Sequence, residues 1–69
     1  MADFQRLSVN INSESAEILR RVTHNREIST TEAIRRAIGL LGFFEEARRL
    51  HKRIIAEDPS GQQTEIVAL

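Results

Sequence analysis

The chain reads as a mostly α fold in which one N-terminal strand precedes two helices and a second copy completes the core. Three observations predict this. Arg6-Leu7-Ser8-Val9-Asn10-Ile11 alternates polar and apolar without a break, the period of a strand with one dry face. Ser29-Thr30-Thr31-Glu32 is a capping box that opens a helix with a clean apolar stripe. Finally, 69 residues without a cysteine leave a lone chain short of core. A domain of this size buries only about 60% of its unfolded surface, and no disulfide or thiolate-bound metal makes up the difference.

Residues 1–4 read as a flexible arm, and the strand runs from about Gln5 to Ile11. Leu7, Val9 and Ile11 form its dry face, and Arg6, Ser8 and Asn10 its hydrogen-bonding face. A single strand cannot satisfy its own edges, and no similar strand follows soon after it. The simplest partner is the same strand of another copy, paired antiparallel about a two-fold axis.

Asn12 or Ser13 caps the first helix, expected from about Glu14 to Asn25. Ser15, Ile18, Leu19 and Val22 share one face, and Glu17 with Arg21 makes a favourable i,i+4 pair. The pattern breaks at His24-Asn25-Arg26-Glu27-Ile28, where Asn25 suits a left-handed turn residue. In the capping box the Ser29 hydroxyl accepts from the Glu32 amide. The second helix then runs from Thr30 to beyond Phe44, with Ile34, Ala37, Ile38, Leu41 and Phe44 on its apolar face and Ala33 and Leu40 widening it. Gly39 and Gly42 each weaken a helix by about 1 kcal/mol relative to alanine. Close approach of a partner helix and tolerated imperfection both account for them.

Asp58-Pro59-Ser60-Gly61 is a turn sequence, with proline pre-set for the second position and glycine at the fourth. It separates two segments rich in β-branched residues, 52–57 and 63–69. This reads as a C-terminal β-hairpin within an extension over residues 48–69. The competing reading continues the second helix to Glu57 and leaves a frayed tail.

Ten basic residues balance ten acidic ones, which argues against a non-specific nucleic-acid coat. A specific binder is compatible with that balance, because the local distribution of charge decides. Nine of the ten basic residues are arginine, whose planar donor fork suits guanine and phosphate. Arg35 and Arg36 either touch DNA backbone or pair with Glu32 along the helix; Arg20 and Arg21 read as solvated helix face. His24 and His51 lack the companions of a metal site. No nucleophile has a base near it in sequence and no glycine-rich phosphate loop is present, so no enzyme, metal or cofactor is expected. No apolar run approaches the ~20 residues of a membrane span, and without a signal-peptide core the expected location is cytoplasmic.

Taken in order, residues 6 to about 46 resemble the ribbon-helix-helix DNA-binding proteins of the Arc, MetJ and CopG type. The resemblance rests on Arg6 to Ile11, Ala16 to Val22, Ile28-Ser29, and Thr31-Glu32-Ala33-Ile34-Arg35-Arg36-Ala37-Ile38. It implies a DNA-binding and dimerisation domain over residues 5–47. The homodimer would be intertwined, its two strands forming an antiparallel ribbon in the major groove. Arg6, Ser8 and Asn10 would contact bases, and Ser29, Thr30 and Thr31 a phosphate. Leu7, Val9, Ile11, Leu19, Val22, Ile34, Ala37, Ile38 and Leu41 would make the dimer core. The phosphate contact has independent support, since amides and dipole at a helix N-terminus attract an anion. Many members carry glycine just before the Ile-Ser pair, where this chain has Glu27; a carboxylate there bears on the anchor.

The function expected is a bacterial or phage transcriptional regulator, acting as a repressor on double-stranded DNA, with higher assembly of dimers on repeated half-sites. Two other classes share the element order. One is an antitoxin whose segment from about Arg49 binds a toxin protein; the other is a protein-interaction module without DNA binding.

Overall fold

The computed structural model describes residues 4–67. The expected arm lies almost wholly outside the described residues, as do Ala68 and Leu69 at the end of the expected hairpin. The order of elements is α1 (Ser13–Arg26), α2 (Thr30–Arg49), β1 (Ile54–Glu57) and β2 (Gln63–Ile66). The chain divides into two compact units, with the boundary between Ala33 and Ile34 inside α2.

In the first unit, residues 4–11 form no regular element. The strand expected over Gln5–Ile11 is therefore not formed in the single chain, whose order is helix, helix, hairpin. The reason is physical: a strand exists through its ladder bonds, and the only strand pairing among the described residues joins β1 to β2.

Asn12 caps helix α1, which settles the choice between Asn12 and Ser13. Asn12 has extended backbone (φ −77°, ψ 172°), and its side-chain oxygen accepts from the Ser15 amide at 2.7 Å. Its carbonyl takes the first helical bond, from Ala16 at 2.9 Å. The helix ends at Arg26, one residue later than the sequence suggested, and the turn residue falls two later. Glu27, not Asn25, is the left-handed residue (φ 54°, ψ 45°). The Ile28 amide donates to the Thr23 carbonyl at 3.2 Å and the Glu27 amide to that of His24 at 3.3 Å. This double bond pattern favours an apolar residue directly after the left-handed one. Half-buried Ile28 meets that demand only if Glu27 makes the turn. On the outer surface Glu17 pairs with Arg20 at 2.7 Å, one position earlier than the expected Arg21.

The start of α2 follows the capping box: the Ser29 Oγ accepts from the Glu32 amide at 3.0 Å, and the Ser29 carbonyl from Ala33 at 2.9 Å.

In the second unit α2 continues to Arg49 and closes as α1 does. His51 is left-handed (φ 57°). The Lys52 amide donates to the Ala47 carbonyl at 2.8 Å and the His51 amide to that of Arg48 at 3.0 Å. This ending sets aside a helix reaching Glu57. Arg49 grips Glu46 through Nε at 3.0 Å and Nη2 at 2.6 Å, which holds the Glu46 carboxyl below its ordinary range.

The C-terminal hairpin is present, with four-residue strands shorter than the sequence suggested. Its register pairs Ile54 with Ile66, Ile55 with Glu65, Ala56 with Thr64 and Glu57 with Gln63. The turn closes through Gly61 donating to the Asp58 carbonyl at 2.9 Å and Asp58 donating to that of Gln62 at 2.9 Å. Gly61 sits at φ 91°, where a side chain would be strained. The Asp58 Oδ1 accepts from the Ser60 hydroxyl (2.6 Å), the Ser60 amide (2.9 Å) and the Gln62 amide (3.0 Å). Ile54 and Ile66 are half-buried on one face. On the other, Arg53 donates to Glu65 at 3.0 Å and Gln63 to Glu57 at 2.8 Å.

Among the described residues only Ala33 (7% exposed) and Ala47 (6%) are buried, and no polar group is. A Cβ added at Gly39 or Gly42 would meet nothing within 4 Å, so neither glycine makes room for a neighbour in its own chain.

Candidate nucleic-acid interface

The residues expected to meet DNA lie in two places, both in the first unit. Arg6, Ser8 and Asn10 are exposed and interleave with Leu7, Val9 and Ile11, which are 73%, 60% and 50% exposed. Three large apolar side chains at alternate positions are thus left in water. Complete burial of a fully exposed side chain of this kind is worth roughly 1.5–3 kcal/mol, and half to three-quarters of that surface is still open here. The segment leads directly into Asn12, whose cap fixes where the helix begins.

The second place is the start of α2. Ser29, Thr30 and Thr31 are all exposed. Ser29 commits its hydroxyl to the Glu32 amide. Thr30 and Thr31 occupy the first helical positions, whose amides have no acceptor within the helix and face outward along its axis. Together with the positive end of the helix dipole they make a site for an anion. Glu27 lies exposed three residues before Thr30, fixed in its left-handed conformation.

The remaining expected core residues are mostly uncovered as well. Val22, Ile34, Ala37, Ile38 and Leu41 are exposed, and Leu19 is half-buried. The left-handed placement of Glu27 escaped the sequence reading, which weighed asparagine's tolerance of that region over the position of Ile28. No group of three potential metal ligands occurs among the described residues. No described helix is long and apolar enough to cross a membrane.

Comparison with protein-family models, curated proteins and solved structures finds no match to this chain.

Proposed function

We propose that the chain is a ribbon-helix-helix regulator of transcription that binds operator DNA as a homodimer and represses. The carrying observation is the uncovered row of Leu7, Val9 and Ile11, set in strict alternation with Arg6, Ser8 and Asn10. Two copies of this segment, paired antiparallel, bury the apolar row and turn the polar row outward. The pair would project six side chains able to hydrogen-bond base edges, arginine suiting guanine and asparagine adenine. The capped start of α2 then holds a backbone phosphate on each side through the Thr30 and Thr31 amides.

The exposed faces of both helices support the same reading, because an intertwined pair covers them. The closed C-terminal hairpin supports a plain regulator over a toxin-binding tail, since such tails order on their target.

Selection of bound duplexes from a randomised pool, followed by light scattering, tests the proposal. The expected result is enrichment of one two-fold symmetric sequence and a mass of at least two chains. A stable monomer, or no retention of DNA at low salt, would overturn it.

A further inference from the structure

We infer that the outer edge of β1 is a second contact between copies, pairing antiparallel with β1 of another chain so that Ile55 faces Ile55 across a two-fold axis. The inference lies beyond the DNA-binding reading and stands on the hairpin alone. It starts from the direction of the backbone groups. The Asp58 amide points inward, to the Gln62 carbonyl at 2.9 Å, and direction alternates along an antiparallel strand. Ala56 and Ile54 therefore bond to β2, while the N–H and C=O groups of Glu57, Ile55 and Arg53 face away from it. β1 has no strand neighbour on that side, among the described residues.

Charge then selects the occupant. With the axis at Ile55, Arg53 of one copy stands directly opposite Glu57 of the other, twice by symmetry. Lys52 likewise stands opposite Asp58. The outward-facing positions 53, 55 and 57 coincide with the three pairs that would exchange backbone bonds, so ladder and charge agree in one register. Opposite charges directly across a ladder stabilise it, and like charges destabilise it. The edge of β2 fails the same test, because a two-fold axis at its central outward residue sets Glu65 against Glu65. Exposed charges on an edge ordinarily keep sheets apart. Here their order along β1, basic at the start and acidic at the end, suits a reversed copy of itself. Ile55, 40% exposed on the face that carries Arg53 and Glu57, would meet its counterpart at the centre.

The test is sedimentation equilibrium of the full chain and of Ile55→Pro over a range of concentrations. Proline removes the outward Ile55 amide and spares the inward bonds to β2. The expected result is a lower mass for the variant. A fall to two chains, from four or from a longer open string, supports this contact and the ribbon together; a fall from two to one supports this contact without the ribbon. Equal masses at every concentration overturn it, two chains in both cases leaving the ribbon standing. A charge series provides a second check. Glu57→Arg, which leaves Arg53 on Glu65 of its own hairpin, should lower the mass by setting two basic residues face to face across the contact, while Glu57→Gln should lower it less. An unchanged mass for Glu57→Arg would overturn the register.

Discussion

The amide of Ile28 reaches the carbonyl of Thr23 at 3.2 Å across a left-handed Glu27, and this bond sets the angle at which the chain leaves α1 for the start of α2. A residue with a Cβ is held in that region at a cost of roughly 1–2 kcal/mol.

Replacing Glu27 with glycine should therefore stabilise the protein by about 1 kcal/mol, the relief of strain being partly offset by a more flexible unfolded chain. Glu27→Ala keeps the strain and serves as the control. Urea unfolding of the two variants beside the parent measures the difference; equal midpoints for glycine and alanine would refute it. If the start of α2 holds phosphate, both changes should also tighten DNA binding, since each removes a nearby carboxylate.

Each helix start depends on one side-chain acceptor. Asn12→Ala and Ser29→Ala should each cost about 1 kcal/mol, read as lowered thermal midpoints. Ser29→Thr, which keeps a hydroxyl acceptor, should recover most of the stability lost with alanine. Unchanged melting of Ser29→Ala would mean that the Glu32 amide finds another acceptor.

Acid should loosen the hairpin through Asp58. Hydrogen bonds from the Ser60 hydroxyl, then from the Gln62 amide, hold its carboxyl below the ordinary range. Its folded pKa therefore lies below its unfolded one. The stabilisation is complete above the unfolded value of about 4 and disappears as pH falls through the folded value. Asp58→Asn keeps an acceptor and loses the charge, so its hairpin stability should be flatter with pH across that window. Chemical shifts of Gly61 and Gln62 during an acid titration report the transition, and identical profiles for parent and variant would exclude Asp58 as its origin.

For DNA recognition, Arg6→Ala should lower affinity for the selected sequence and relax the preference at one base position, a discrimination worth about 1–3 kcal/mol. Thr30→Pro, which removes an amide at the phosphate site, should weaken all sequences alike. Competition binding at fixed salt separates the two behaviours. Equal losses on specific and random DNA for Arg6→Ala would place Arg6 on phosphate.

How far the sequence revealed this architecture depended on whether the decisive interaction is local. The Ser29 cap, the Asn12 cap and the Asp58-Pro59-Ser60-Gly61 turn are each made by residues within four positions of one another; the first and last were legible, and the second was narrowed to Asn12 or Ser13. The end of α1 was misplaced because it answers to Ile28 as well as to the residue that turns. The pairing of Glu17 with Arg20 over Arg21 is a choice between adjacent rotamers that spacing cannot make. Gln5–Ile11 differs in kind. Its alternation is plain in the sequence, but no ladder partner for it lies among the described residues, so it has no regular structure there. The proposed base contacts inherit that dependence, whereas the capped start of α2 is complete within one copy.

Among the described residues only Ala33 and Ala47 are kept from water, which leaves little buried surface to resist unfolding. The molecule's stability then belongs to whatever covers Leu7, Val9 and Ile11. If that cover is another copy, simple dilution acts as a denaturant, and the number of chains in a cell sets both how much is folded and how long it survives proteolysis.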